Sequence, residues 1–523
     1  MNNSPVLDRK SFLVSMILIV LIVITAGGMA VYVLSDPSIS QALSISLAAI
    51  MIQEAYQGEV DWQALVESGR NAMLDKLDRY SDYVPVRQFE NLDEELTGAY
   101  GGIGVSIIYQ EDGLLIMSVR ENGPAAEVGL LPGDLVTAAD SVSFAELTSD
   151  KAIGVLRGEE GSKVRVTVYR AVTDETFDVD ITRRRIPLLH VPFAGYTADS
   201  VLYIRVLDFE AGATEDIAVA LDSLLEGRAH PRGLILDLRG NPGGLFAEAY
   251  ETADLFLDEG VFMVGTDGRS RWNDHKFYAQ SDDITGGLPM AVIVDRGSAS
   301  SAEIVAGSLQ ASARAFLVGD TTFGKGLVQG FVRFPDGDGL KLTISRYYFA
   351  GPIYLNDFDS TLNDIGHGLV PDYLFDVRRM NPFRRKLENS LLMSGFANRH
   401  QDEIVEASQG DTLGDFWVRR FRDYAMEQGF SYSSPLTESA RELMVSALDE
   451  KSSAATEKMI TSVIDKSLTA DVNEFDNNKD YIKNRLREIA YERKYGTYRT
   501  YKDVLLETRP EINFASQLLV ERD

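Results

Sequence analysis

The chain has 523 residues, 45% of them hydrophobic and 25% charged, a formal net charge of −28 and no cysteine. That length exceeds a single core and points to several structural units. The acidity excludes the basic footprint of a nucleic-acid binder, and the missing cysteines exclude disulfides, thiol nucleophiles and thiolate metal sites.

Lys10 and Asp36 enclose 25 residues without a charge, including the run from Met16 to Ile24. Roughly 20 apolar residues cross a bilayer as a helix. Arg9 and Lys10 precede the run, so the positive-inside rule keeps residues 1–10 cytoplasmic and exports the remainder. The expectation is an uncleaved single-pass anchor over residues 11–35. A cleaved signal peptide is the alternative, since Ala26-Gly27-Gly28-Met29-Ala30 offers small residues, but the apolar run continues through Leu34.

Residues 38–97 read as a helical region, with Leu65, Met73 and Leu77 on recurring turns, closing on Leu77-Asp78-Arg79-Tyr80-Ser81-Asp82-Tyr83. From 98 to 184 the pattern turns β-rich. Pro124 to Leu130 reads as a short helix, Pro132-Gly133-Asp134 as a turn, and Val164 to Tyr169 alternates like a half-buried strand. From 185 to 375 short apolar strands (Val201 to Val206, Gly233 to Leu238, Met290 to Val294, Phe316 to Val318) alternate with helical segments at Thr214 to Leu225 and Ala302 to Ala311. That rhythm belongs to a layered α/β domain. Residues 376–523 read as helical, and the stripes Trp417/Phe421/Tyr424 and Ile482/Leu486/Ile489 read as core.

Three segments carry chemistry. In Asp295 to Ile304 a strand ends, small residues turn, and a helix begins, which sets the Ser300 hydroxyl at a helix N-terminus where backbone N–H groups favour negative charge. Serine is also a preferred cap, so this stretch alone allows a purely structural role. In Thr321 to Gln329, Lys325 stands between Gly324 and Gly326. A lysine desolvated by burial, and free of a paired carboxylate, loses its proton near neutrality and serves as a base. The five histidines, at 190, 230, 275, 367 and 400, have no such context. In Leu236 to Gly244 a buried strand runs into a glycine-rich turn able to donate N–H groups to an oxyanion. A phosphate cradle is the alternative for that turn, but it lacks Walker spacing.

These segments resemble the carboxy-terminal processing (tail-specific) serine peptidases. The likeness rests on Gly297 to Glu303, Thr322 to Gln329, Asp237 to Gly244, Leu77 to Tyr83 and Gly101 to Val105, in that family's order, and spans about residues 60 to 375. The resemblance implies a multidomain α/β fold: a ClpP/crotonase-like peptidase core at 185–375, an inserted PDZ domain at 98–184, an N-terminal membrane helix and a helical C-terminal region. It implies Ser300 as nucleophile, Lys325 as general base and Gln329 as the residue orienting the lysine. The oxyanion hole would be the N–H of Ser301 with that of Gly243 or Gly244. Gly102, Ile103, Gly104 and Val105 match a carboxylate-binding loop, where a peptide terminus adds as a strand. Arg157 sits where an activating arginine lies in one branch of the family. No metal or cofactor is implied.

The chain departs from the family at Ala139-Asp140-Ser141 and at Phe349-Ala350-Gly351-Pro352, which leaves the dyad untouched and bears on specificity. The resulting expectation is an endopeptidase at the inner membrane, its catalytic part periplasmic or otherwise extracytoplasmic, cleaving exported proteins near their C-termini. Homo-oligomers built through terminal helices are a further expectation. A catalytically silent PDZ scaffold and an acyl-CoA enzyme of the crotonase type are the alternatives, against which stand the retained Ser300 and Lys325 and, for the second, the PDZ insertion and the anchor.

Overall fold

The computed structural model describes residues 37–86, 89, 99–110, 112–120, 123–145, 147, 149–170, 173–187, 189–226, 230–335, 337–351, 353–357, 365–375, 381–409, 413–450 and 452–522. These fall into two compact units divided between Lys76 and Leu77. The first holds helices α1 (Pro37–Ala55) and α2 (Trp62–Leu74), the latter capped by Asp61, whose side chain accepts from the Ala64 N–H. No helix among the described residues is long and apolar enough to cross a membrane. The charge-free run at 11–35 lies outside them.

The second unit begins with the loop around Asp78 and a short strand β1 (Asp82–Val84). Next come β2 (Ala99–Gly102), β3 (Val105–Gln110), β4 (Gly113–Val119), α3 (Pro124–Glu127), β5 (Asp134–Ala139), β6 (Val142–Ser143), α4 (Ser149–Leu156), β7 (Lys163–Arg170), β8 (Glu175–Thr182) and β9 (Arg184–Pro187). The antiparallel order is β3-β4-β5-β7-β8 with β6 on β5, while β2 pairs with β9. Val164, Val166 and Val168 alternate inward from β7, as period-two patterning requires. Asp140 and Ser141, one of the departures noted above, take positive φ of 47° and 67° and form the tight β5–β6 turn.

The layered α/β domain follows, with β10 (Phe193–Tyr196), β11 (Leu202–Arg205), α5 (Ala213–Leu225), β12 (Leu234–Asp237), α6 (Phe246–Asp254), β13 (Phe262–Gly268), β14 (Lys276–Tyr278), β15 (Met290–Val294), α7 (Ser301–Ala311), β16 (Ala315–Gly319), β17 (Leu327–Arg333) and β18 (Gly339–Phe349). One sheet runs β10-β11-β12-β15-β16 and ends on the short strand Tyr373–Leu374; β11, β12, β15 and β16 are parallel. All five residues of β15 are buried, because a parallel sheet is covered on both faces. On one face Ile204, Leu236, Val292 and Leu317 pack with Ile217, Ala253 and Val305 of α5, α6 and α7. A second sheet, β1-β18-β13-β14 with β17 also on β18, lies beside it.

The opposite face of the parallel sheet is covered from the far end of the chain. Tyr203, Ile235, Ile293 and Val318 pack with Leu506, Ile512, Ala515 and Leu519. The last three of these belong to the terminal helix Pro510–Arg522. The helical region expected over 376–523 therefore does two things. Its middle builds a core of its own from Phe383, Phe396, Trp417, Phe421, Ile482 and Leu486, and its last helix closes the layered α/β domain.

Candidate active site

Ser300 stands at the N-terminus of α7 with φ 54° and ψ −115°. A positive φ is strained for any residue with a Cβ, and such strain persists only where surrounding bonds over-determine it. Here they do. The Ala299 N–H donates to the Asn241 carbonyl and the Ser298 N–H to the Asp295 carbonyl. Ser298 Oγ donates to the Leu238 carbonyl, 2.8 Å, and Asp295 Oδ1 accepts from the N–H groups of Gly240 and Gly297 at 2.7 and 2.9 Å. The Ser300 turn is thus stitched to the glycine-rich turn after β12.

Gly243 has φ 102°, and a Cβ built there would lie 2.8 Å from Ser300 Cβ and from the Ala299 carbonyl oxygen. Only glycine fits that approach. Its N–H is already given to Asn241 Oδ1 at 2.9 Å. Of the two glycines expected to supply an oxyanion donor, Gly244 is the one whose N–H has no partner among the described residues; the Ser301 N–H is likewise unpaired. The Ser301 hydroxyl donates to the carbonyls of Gly244 and Leu245 at 3.0 and 3.1 Å, which holds the two peptide segments side by side.

Lys325 lies on the loop between β16 and β17. The link between this loop and Ser300 is a residue to which the sequence reading gave no role. Glu303, one turn into α7 and fully buried, accepts from the Ser300 N–H at 2.9 Å and the Lys325 N–H at 2.8 Å on one oxygen. Its other oxygen accepts from the Gly324 N–H at 2.7 Å and Thr322 Oγ1 at 2.5 Å. Burial holds its carboxyl above the usual range even against these four donors. The signal was present as Ser-x-x-Glu, the spacing of a capping box, of which the Glu-to-backbone half is made here.

The Lys325 amine is only partly exposed. Burial lowers its pKa, the charge of Lys341 lowers it further, and Glu303 opposes both. Among the described residues the amine makes no hydrogen bond or ion pair; it lies 5.5 Å from the centre of the Tyr80 ring. No hydrogen bond joins it to Ser300 Oγ, so the two residues are linked through Glu303 and their side chains are not engaged with each other. Tyr347, buried on β18, donates to the Lys325 carbonyl at 2.6 Å and reaches the Ser300 carbonyl at 3.3 Å. It too went unread in the sequence.

Gln329 is placed differently from the expectation that it orients the lysine. Its amide donates to the Tyr80 carbonyl at 3.1 Å. The Leu77 to Tyr83 block is a wall of the site: Asp78 Oδ1 accepts from the N–H groups of Tyr80 and Ser81 at 2.8 and 2.9 Å, and β1 pairs with β18. Among the described residues no histidine is hydrogen-bonded to Ser300; His190 pairs with Asp208 and His400 with Glu403. A cavity of about 610 Å³ opens elsewhere, lined by Arg384, Tyr481, Arg485, Glu488, Arg509 and Glu511. Neither Ser300 nor Lys325 lines it.

In the β-domain the amides of Ile103 and Gly104 donate to no described partner, and Gly104 takes φ 78°. β3 beside them is an edge strand, paired only with β4 among the described residues. Arg157 follows α4, and the next residue, Gly158, donates its N–H to the Gly101 carbonyl at 3.1 Å. Arg157 therefore sits by the loop of Gly102 to Val105.

Comparison with known proteins decides the family. Residues 200–355 match peptidase family S41, residues 101–181 a PDZ domain, and residues 384–519 the C-terminal helical domain of a probable PDZ-protease. A carboxy-terminal processing protease of Bacillus subtilis, CtpB, is 33% identical over 406 residues, 71% of this chain and 83% of that protein. The carboxy-terminal-processing protease of Bartonella bacilliformis is 32% identical over 318 residues, 60% of this chain and 70% of the relative. The chain belongs to the carboxy-terminal processing peptidase family. It is a serine-type peptidase with a PDZ domain and a helical C-terminal domain. Among solved structures, a photosystem II D1 C-terminal processing protease is 24% identical, covering 64% of this chain and 86% of that one with a TM-score of 0.39.

Proposed function

We propose that this peptidase cleaves polypeptides near their C-termini by a Ser300–Lys325 mechanism, after the PDZ domain has captured the free terminus. The observation that carries the reading is the Glu303 carboxylate, which binds the backbone N–H groups of both Ser300 and Lys325 on one oxygen, while the lysine amine, whose pKa burial lowers, makes no hydrogen bond or ion pair among the described residues. In the reaction, neutral Lys325 takes the proton from Ser300 Oγ as that oxygen bonds to the scissile carbonyl carbon. The developing oxyanion meets the N–H groups of Ser301 and Gly244, helped by the positive end of α7. The intermediate collapses, the C–N bond breaks, and the leaving amine takes the proton from Lys325. Water, deprotonated by Lys325, then attacks the acyl-enzyme and Ser300 recovers its proton.

The side chains as found are not hydrogen-bonded to each other, so a productive complex needs the lysine to turn toward Ser300 Oγ. In this reading Gln329, on β17, leaves the Tyr80 carbonyl to which it donates and accepts from the amine. For capture, the unpaired amides of Ile103 and Gly104 suit a terminal carboxylate and the free edge of β3 suits an added strand. Residues 11–35 serve as a single-pass membrane anchor, with the peptidase on the extracytoplasmic side and exported proteins as substrates.

The test uses the full-length chain in detergent with a peptide ending in apolar residues, offered as free acid and as amide. Cleavage should be lost in Ser300→Ala, Lys325→Ala and Lys325→Arg, since guanidinium does not deprotonate, and the amide should bind less well. Near-normal turnover by Lys325→Arg would remove the lysine from the mechanism. Binding without cleavage by the wild type would favour a silent PDZ scaffold.

A further inference from the structure

The glycine-rich turn that carries Gly244 is held from below by a cluster of buried charges. Asp237, at the end of β12, accepts from the Tyr203 hydroxyl at 2.6 Å, from the Arg239 N–H at 3.1 Å and from Arg239 Nε at 2.8 Å. Arg205 donates to the carbonyls of Asp237, at 2.8 Å, and Arg239. The remaining arm of Arg239, Nη1, is bound by Glu511. Glu511 is the second residue of the terminal helix, 272 positions away in sequence and 1% exposed. Two arginines thus face two carboxylates, and one of those carboxylates comes from outside the catalytic segment.

We propose that Glu511 is a positioning residue for the peptidase reaction: through Arg239 the terminal helix sets the Gly240–Gly244 turn, and with it the Gly244 donor, against Ser300. The proposal rests on the Ser300–Lys325 reading above. Gly240 donates to Asp295 and Gly243 abuts Ser300, so a shift of Arg239 passes directly to the oxyanion side of the site. Glu511 touches neither substrate nor reacting atoms. Its second oxygen is buried without a hydrogen-bond partner, so Glu511→Gln can keep the bond to Arg239 with its NH2 on that side, while it gives up the charge that balances the arginine.

The experiment compares kcat, KM and the affinity of a peptide boronic acid, whose tetrahedral adduct uses the oxyanion donors. Glu511→Ala should lower kcat roughly 10- to 100-fold and weaken the boronate by a similar factor, with KM nearly unchanged. Glu511→Gln, which keeps the hydrogen bond and loses the charge, should give a kcat between those of the alanine variant and the wild type, and Gln517→Ala, exposed on the same helix, should match the wild type. If the alanine variant does not fold, Glu511→Asp, which keeps the charge and shortens the reach, should show the same split. Unchanged kcat in a folded Glu511→Ala or Glu511→Asp protein, or a loss of kcat with boronate affinity intact, overturns the proposal. Undiminished cleavage by Ser300→Ala in the same assay overturns the underlying mechanism instead, and so separates the two failures.

Discussion

Replacing Glu303 by glutamine tests the centre of the site with the smallest change of shape. The carboxylate accepts from four donors, two on each oxygen. An amide keeps one oxygen and turns the other into a donor. If the NH2 faces Ser300 and Lys325, their two N–H groups lose their acceptor. If it faces Thr322 and Gly324, the hydroxyl proton and the Gly324 N–H do, and Thr322 Oγ1 already accepts from the Leu369 N–H at 2.6 Å. Either way two buried donors are orphaned, at about 1–3 kcal/mol each. Relief from burying a charge offsets part of that, since burial already holds the Glu303 carboxyl above its usual range. A net loss of about 2–4 kcal/mol remains. Because the folded pKa of Glu303 is raised, its ionisation costs stability as pH climbs through the carboxylate range. The wild-type advantage should therefore be widest in acid and narrow as pH rises. Catalysis gives the sharper sign. Glu303 raises the Lys325 pKa, so its removal should lower kcat while moving the pH–rate limb to lower pH. Thermal melts and pH–rate profiles of both proteins measure this. A limb that stays in place or moves up, with kcat intact, refutes the clamp.

Lys341→Gln removes a charge that depresses the Lys325 pKa; the pH–rate limb should move up, so activity falls at neutral pH and recovers in base. A shift toward acid in the rate profile contradicts that coupling. Tyr347→Phe deletes the hydroxyl that bridges the carbonyls of Lys325 and Ser300. It should cost about 1 kcal/mol of stability and lower kcat more than it raises KM in steady-state kinetics. Gly243→Ala places a Cβ 2.8 Å from Ser300 Cβ at φ 102°, and kcat should fall by roughly 100-fold or more, with the PDZ domain still binding peptide in a titration.

Much of the fold was legible because its signals are local. β15 is a bare apolar run, and a strand buried on both faces has no polar side to disguise it. β7 alternates because one face is wet. The terminal helix shows what locality misses. Its buried apolar residues, Ile512, Ala515 and Leu519, are those of any amphipathic helix, and nothing in their spacing says that they cover Ile235 and Ile293 rather than the helical core nearer in sequence. The block Leu77 to Tyr83 was recognisable as a unit, but its strand pairs with the distant β18, Asp82 against Lys341, and no periodicity reports a partner at that separation. The charge-free run at 11–35, expected to be an anchor, lies outside the described residues.

At the site, the motifs placed Ser300 and Lys325 on neighbouring loops, yet the residue that joins them was passed over because it looked like part of a helix. A capping glutamate normally answers one backbone N–H at its own helix start. Glu303 answers that N–H and three donors of the loop that carries Lys325, which is possible because β15 and β16 are adjacent parallel strands whose following loops emerge at the same edge. The topology therefore gives one carboxylate access to both loops. Gln329 shows the complementary case: its position on β17 follows from the chain, but whether its amide faces Lys325 or Tyr80, to whose carbonyl it donates here, is a choice of rotamer. Backbone clamps are written in spacing, and side-chain partners are written in packing. The two loops are accordingly held together where the sequence is most explicit, and the side chains of Ser300 and Lys325 are left open to rearrangement where it is least so.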